Sequence, residues 1–304
     1  MLAVLAVVAA AVLFGTTGTA QALGPDGTTP LSVGVARLVI GGTVLAAIGF
    51  ALARRRARVR PNPPLTGRAL GLMALTGVCL ALYQPLFFLG TARNGVAVGT
   101  VIALGSAPVL AGLLEWAATR TLPGKVWMLA TLLATGGVVL LGAGGTGGGG
   151  GADPLGLLGS VGAGASFAVF ANAQRRLMQG GWDPFTVAGA MGAGAATAGA
   201  IALPFTDLGW LAQPSGLAMA LWLGIATIAV AYTLFTWGLE RLSAATAATL
   251  TLAEPLTAGI LGVAVLGERL APLAIAGLAV LATGLVLLAV GSRARDAEPF
   301  AVEA

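Results

Sequence analysis

Ten long apolar tracts follow one another along the chain, separated by short polar or glycine-rich segments. A tract of about 20 apolar residues crosses a bilayer as one helix, and none of these tracts alternates with the period of two expected of a barrel strand. Only 9% of the 304 residues are charged, against about a quarter in an average soluble domain. The sequence therefore predicts an all-α, polytopic membrane protein with ten transmembrane helices. The predicted helices cover roughly residues 2–20, 31–52, 69–91, 95–119, 125–143, 155–177, 185–205, 215–239, 243–266 and 271–291.

The basic residues are distributed unevenly among the segments that connect the tracts. With the N-terminus in the cytoplasm, 13 of the 16 Lys and Arg residues lie in cytoplasmic segments, Arg93 and Arg269 lie in outer loops, and Arg37 lies inside a tract. This bias follows the positive-inside rule and predicts a multi-pass protein of the cell (inner or plasma) membrane with both termini cytoplasmic. It also accounts for the net charge of +5 without a nucleic-acid partner, because no separate basic domain is present.

The first tract has a second interpretation, as a signal peptide that ends at the small residues around Gln21. However, no Lys or Arg precedes the tract, as a signal peptide would require. Its removal would also reverse the side of every later loop and contradict the charge bias. We therefore expect the tract to remain as the first transmembrane helix.

A run of five glycines, Gly147 to Gly151, lies at the midpoint of the chain and is typical of a flexible linker. It separates two groups of five tracts, and because five is odd, the second group must enter the membrane from the opposite face. Similar segments recur in the same order in both halves, such as 30–33 with 184–187, and Tyr83 with Tyr232. Inverted repeats of this kind are typical of secondary transporters. The predicted domains are a first five-helix repeat (1–143), a Gly-rich linker (144–154), a second five-helix repeat (155–291) and a cytoplasmic tail (292–304).

Several residue types and motifs that catalytic proteins use are missing from the sequence. There is no histidine, Cys79 is the single cysteine, and no P-loop pattern occurs. These absences exclude a nucleophile with a histidine base, an internal disulfide and a cysteine metal cluster. They also disfavour an ATP-driven pump within this chain. We expect no enzyme activity, no metal and no cofactor.

Charged residues inside the tracts are the sharpest functional signal, because a lone charge near the bilayer centre costs at least ~2.5–3.5 kcal/mol. Of the 27 charged residues, 24 lie in loops, in tails or at tract ends, and the exceptions are Arg37, Glu115 and Glu254. Glu254 lies halfway along the ninth tract and precedes Pro255, which cannot donate to the helix ladder. It is the first candidate for contact with a substrate and for proton coupling, and a permanent ion pair is the alternative. Arg37 is the candidate charge partner, and the alternatives are a structural ion pair or a side chain that snorkels to the membrane surface. Glu115 lies close enough to a tract end to snorkel to that surface.

Polar and aromatic side chains inside the tracts supply further candidates for the lining of a binding cavity. Rings that carry one polar atom can hold an organic solute, although each such residue alone is more often a packing or interface residue. The predicted substrate-binding residues are Glu254, Arg37, Tyr83, Gln84, Tyr232 and Trp237, with Asn172 as a further lining candidate.

Three stretches resemble the EamA-like, ten-helix members of the drug/metabolite transporter superfamily. The stretch from Tyr232 to Leu270 resembles their eighth and ninth helices, with a mid-helix Glu-Pro and a closing Gly-Glu-Arg. Phe14-Gly15-Thr16 resembles the aromatic-glycine start of the first helix, and Ala36-Arg37-Leu38 resembles the arginine of the second helix. The first repeat departs from the pattern, because Thr121 stands where the second repeat has Glu268. The resemblance implies a central cavity walled by helices one to four and six to nine, with helices five and ten as outer supports.

The sequence and the resemblance together predict a secondary transporter, most simply an exporter, of small organic solutes such as amino acids or related metabolites. It would work by alternating access around a midplane cavity, with a small-molecule solute and the lipid bilayer as partners. Two alternatives remain open at this point. One is a polytopic membrane enzyme that acts on lipid-linked substrates, and the other is a membrane scaffold subunit without transport.

Overall fold

The computed structural model describes residues 1–58, 61–143 and 153–296. The predicted linker 144–154 lies outside these ranges except for its last two residues, and the predicted tail 292–304 lies outside them beyond Asp296. Within the described ranges the fold is helical, and ten helices are long and apolar enough to cross a membrane. The predicted all-α fold with ten transmembrane helices is thus confirmed. The helices are α1 (Leu2–Ala22), α2 (Pro30–Arg56), α3 (Gly67–Asn94), α4 (Val96–Thr119), α5 (Lys125–Ala143), α6 (Pro154–Gln179), α7 (Pro184–Ala202), α8 (Pro214–Leu239), α9 (Ala244–Ala264) and α10 (Pro272–Asp296).

Three of the helices begin with the same local signal, a capping side chain followed by a proline. Thr29 forms a capping box with Ser32 at the start of α2, and Asp153 and Asp183 accept backbone N–H groups at the starts of α6 and α7. The backbone N–H of Gly156 lowers the pKa of Asp153 below its ordinary value. Because proline at the first helical position needs no hydrogen-bond partner, these starts are fixed by the local sequence.

Eight of the helices form a closed ring. In order around it, each helix packs against the next: α1, α8, α2, α7, α3, α6, α4, α9 and back to α1. The remaining two helices, α5 and α10, pack against each other and against α4 and α9. Each helix of the first repeat corresponds to the helix five positions later, such as α1 to α6. Exchanging all the corresponding helices leaves every helix with the same neighbours around the ring. The arrangement is therefore two five-helix repeats related by a pseudo-twofold axis, with α5 and α10 in the outer positions that the resemblance implies.

The pseudo-symmetry extends to the closest backbone contacts. A Cβ atom on Gly41 of α2 would lie 2.6 Å from the carbonyl oxygen of Gly224 in α8. In the corresponding α7–α3 contact, a Cβ atom on Gly77 would lie 2.8 Å from the Cα of Gly194. Small residues at matched positions let the same helix pairs approach closely in both halves, as is common in membranes.

Two ion pairs between the repeats identify the two membrane faces. Arg56 at the end of α2 lies 3.2 Å from Asp183 at the start of α7, and Arg93 at the end of α3 lies 3.2 Å from Asp153 at the start of α6. Successive helices end on opposite sides of the membrane, so the two pairs lie on opposite faces. We call these faces the Arg56 face and the Arg93 face.

The contact between α2 and α7 leads to a testable expectation about packing. A Cβ atom on Gly42 would lie 2.6 Å from the backbone nitrogen of Ala196, whereas one on Gly71 would meet no atom within 4 Å. We expect Gly42→Ala to destabilise the protein by about 1–3 kcal/mol through overpacking. The matched control Gly71→Ala should leave stability unchanged or slightly raised. Thermal unfolding in detergent measures both, and equal melting temperatures for the two variants would contradict this packing.

Candidate functional site

A cavity of about 90 Å³ lies within the ring. Its wall combines charged, phenolic, amide and apolar side chains from both repeats, and five of the six predicted substrate-binding residues belong to it. These five are Arg37, Tyr83, Gln84, Tyr232 and Glu254. The remaining lining residues are Phe14, Thr17, Gln21, Gly34, Leu38, Leu80, Phe87, Phe88, Phe167 and Ile228.

Hydrogen bonds to two neighbouring helices hold the Arg37 side chain. Its Nη1 donates to Oε1 of Gln84 in α3 at 3.0 Å, and its Nε donates to Oγ1 of Thr227 in α8 at 3.1 Å. The Thr227 hydroxyl in turn donates to the carbonyl oxygen of Leu223 at 2.6 Å. A guanidinium group carries five N–H donors, so these two bonds fix its position and leave it further donors for a bound anion.

A break in α9 positions Glu254. The helix consists of two segments, Ala244–Leu250 and Ala253–Ala264. Pro255 has no N–H to donate to the carbonyl oxygen of Thr251, four residues earlier. That carbonyl instead accepts the N–H of Glu254 at 2.9 Å. Glu254 therefore lies in the first turn of the second segment, where the helix dipole favours a negative charge.

The first helix passes directly beside this break. A Cβ atom on Gly15 would lie 2.6 Å from the carbonyl oxygen of Glu254, so only glycine permits the observed distance. The neighbouring Phe14 and Thr17 line the cavity next to Glu254. The Phe14-Gly15 pair of the resemblance thus has a structural reason, which is the close approach of α1 to the acidic residue.

The two repeats differ in charge at the position of Glu254. Gly164 of α6 approaches α4 as Gly15 approaches α9, and a Cβ atom there would lie 2.7 Å from the carbonyl oxygen of Ala103. The segment 107–112 of the first repeat matches 254–259 of the second, and in that match Ala107 stands where Glu254 stands. The carboxyl group at this position is therefore contributed by the second repeat, and the arginine that lines the cavity comes from the first.

Packed aromatic rings separate the cavity from the Arg56 face. Tyr232 lies 5.0 Å from Phe14 and 5.7 Å from Phe170 between ring centroids, and Phe167 lies 5.6 Å from Phe235. Phe170 and Phe235 are fully buried and lie one helical turn closer to the Arg56 face than Phe167 and Tyr232. We call these five residues the aromatic cluster. In this conformation it closes the cavity toward the Arg56 face.

Three residues that the sequence singled out lie elsewhere. Trp237 does not line the cavity. Its ring packs against Arg241 near the end of α8, and the guanidinium carbon lies 4.8 Å from the ring centroid. Glu115 does not extend freely to the membrane surface, because its carboxylate accepts the N–H of Ala245 at 2.9 Å at the start of α9. Asn172 lines a different cavity, at the Arg56 face.

Comparisons with known proteins agree with this architecture. The model of the EamA-like transporter family matches residues 1–143 and 154–290. The "Uncharacterized transporter YwfM" of Bacillus subtilis (strain 168) is 40% identical over 291 residues, which are 94% of this chain and 93% of that protein. A solved structure named only "Crystal structure of protein" superposes with a TM-score of 0.76 at 21% identity, covering 97% of this chain and 99% of that one, and shows the same fold. The chain therefore belongs to the EamA-like transporter family, within the drug/metabolite transporter superfamily, and is a multi-pass membrane transporter.

Proposed function

We propose that this transporter carries a small solute with both a carboxylate and an ammonium group, such as an amino acid or a related metabolite. One observation carries the proposal: Arg37 of the first repeat and Glu254 of the second line the same cavity. A guanidinium group binds carboxylates through paired N–H donors, and a carboxylate binds an ammonium group. The phenylalanine and tyrosine rings of the wall suit the apolar part of such a solute.

The position of the aromatic cluster argues for movement between two conformations. Its packed rings lie between the cavity and the Arg56 face, so a solute in the cavity cannot reach that face without a rearrangement. The repeats would therefore rock about the site and open it to one face at a time, which is the alternating access expected of inverted repeats.

We further propose that the Arg56 face is cytoplasmic and that the solute leaves the cell. The bias of basic residues toward that face supports this orientation in the cell membrane, with both termini in the cytoplasm. Glu254 is also our candidate for proton coupling, because a carboxyl group inside the bilayer can exchange a proton as its surroundings change. A solute ammonium group and a proton would then compete for the same carboxylate.

Counterflow into proteoliposomes tests the solute class. Vesicles loaded with one unlabelled amino acid take up the same labelled compound only if the protein exchanges it, so each of the twenty amino acids can be tested in turn. We expect at least one to be exchanged. We expect the matching amine and the matching 2-keto acid to be exchanged at least about tenfold more slowly than that amino acid. Exchange of the amine or the keto acid at the rate of the amino acid would contradict the paired-charge site.

A further inference from the structure

A second, larger cavity opens at the Arg56 face. It has a volume of about 670 Å³ and lies between the start of α3, the end of α4 and the end of α6. Among the described residues its lining shares none with that of the central cavity. We call it the Arg56-face groove.

Arginine side chains dominate the charge of this groove. Arg68 of α3 and Arg175 and Arg176 of α6 line it, together with the carboxylate of Glu115. That carboxylate is engaged by the N–H of Ala245. The lining thus carries three guanidinium groups and one carboxylate. The carboxylate of Glu240 also attracts Arg175 but is paired with Arg241, so the excess of positive charge in the groove favours an anionic ligand.

One of the arginines is fixed in place by the backbone of another helix. Nη1 of Arg175 donates to the carbonyl oxygens of Leu239 and Glu240 at the end of α8, and its side chain is half-buried. Cations at a helix C-terminus are favoured by the helix dipole. Arg175 is thus a preorganised, half-buried donor in the groove, whereas Arg68 and Arg176 are exposed and free to adjust.

The pseudo-symmetry supplies a comparison within the same molecule. The start of α8, the end of α9 and the end of α1 form a related groove of about 480 Å³ at the Arg93 face. Its described lining consists of apolar and hydroxyl residues such as Leu23, Met219 and Thr16, with no charged residue among them. The fold therefore generates a groove at each face, and only the groove at the Arg56 face carries arginines in its described lining.

We propose that the Arg56-face groove binds the headgroup of an anionic phospholipid. The groove lies where transmembrane helices end, which is the level of the lipid phosphates, and basic pockets between helices at that level suit anionic headgroups. The arginines would hold the phosphate through charge-assisted hydrogen bonds. The half-buried side chain of Leu72, which also lines the groove, would contact the glycerol and the first part of an acyl chain.

Lipid binding to the full-length protein in detergent tests the proposal. The probes are dioleoylphosphatidylglycerol and dioleoylphosphatidylcholine, and native mass spectrometry counts the bound lipids. We expect the phosphatidylglycerol to bind more tightly, and we expect the double variant Arg68→Ala/Arg176→Ala to weaken its binding about tenfold or more, since each arginine near a headgroup contributes substantially. The matched control is Arg54→Ala/Arg55→Ala, which removes two exposed arginines of the same face that lie outside the groove.

Three outcomes would overturn the proposal. The first is equal loss of phosphatidylglycerol binding in both double variants, which would indicate a diffuse surface attraction. The second is equal affinity for the two lipids. The third is saturable binding of free glycerol phosphate with the affinity of the lipid, which would assign the groove to a soluble anion. Because all four substituted arginines are exposed, we expect unchanged melting temperatures, and each variant is compared with the parent at a matched folded concentration.

Discussion

Replacing Glu254 with glutamine is expected to slow amino-acid counterflow at least about 30-fold. The substitution preserves size but removes the negative charge that would pair with a solute ammonium group. Loss of one partner from a buried charge pair costs at least ~2 kcal/mol, which corresponds to this factor. The measurement is the initial rate of labelled solute uptake into proteoliposomes at a concentration well below the parent's KM.

The control for this variant is Glu115→Gln. It makes the same chemical change in another transmembrane helix, and the amide oxygen of Gln can still accept the N–H of Ala245. We expect this control to transport at close to the parent's rate. Glu254→Gln should also abolish discrimination between the amino acid and the corresponding 2-keto acid. Parental rates in a folded Glu254→Gln protein would remove this carboxyl group from the site.

The same variant tests proton coupling separately from solute binding. If Glu254 carries the proton, an imposed pH gradient changes the initial rate of net solute uptake by the parent protein. The residual uptake of Glu254→Gln should then be insensitive to the gradient, because the amide does not titrate. A parental rate that does not depend on the gradient would exclude coupling while leaving the solute site in place.

Much of the fold was predictable because the bilayer imposes a simple rule on length. Each apolar tract had to become one helix, and the boundaries shifted by only a few residues. The end of α2 at Arg56, rather than near residue 52, follows from three terminal arginines that can leave the hydrocarbon and complement the helix dipole. The order of helices around the ring was not predictable from hydropathy, because the hydropathy of a tract does not say which other helix lies beside it.

The candidate site was only partly predictable. Arg37 and Glu254 are conspicuous because an intramembrane charge is costly, and the structure places both at one cavity. Trp237 does not line the cavity beside Tyr232, since a step of five residues turns an α-helix by about 140° away from the starting face. Thr227 gave no signal, because a hydroxyl that bonds to its own helix is ordinary. Thr227 also lies in a π-helical segment, Trp222–Val230, where the residue spacing of a regular α-helix does not apply.

Arg37 is expected to respond to substitution in a graded way that distinguishes a binding role from a packing role. Arg37→Gln should lower counterflow about 30-fold, because it removes the charge that would hold the solute carboxylate. Arg37→Lys should lower it about tenfold, because one ammonium group cannot reach Gln84 and Thr227 and still present paired donors to a carboxylate.

The substrate dependence of these variants decides between the two roles. If Arg37 binds the carboxylate, Arg37→Gln transports the amino acid and the corresponding amine at similar low rates, whereas the parent prefers the amino acid. Thr227→Val, which removes one hydrogen bond to Arg37 but no charge, should raise KM severalfold and keep that preference. If Arg37 only held α2, α3 and α8 together, Arg37→Gln would lower the melting temperature while the folded fraction kept the parent's KM and preference. That result would transfer carboxylate recognition to another residue of the cavity wall and would leave Glu254 as the charged group that selects the solute.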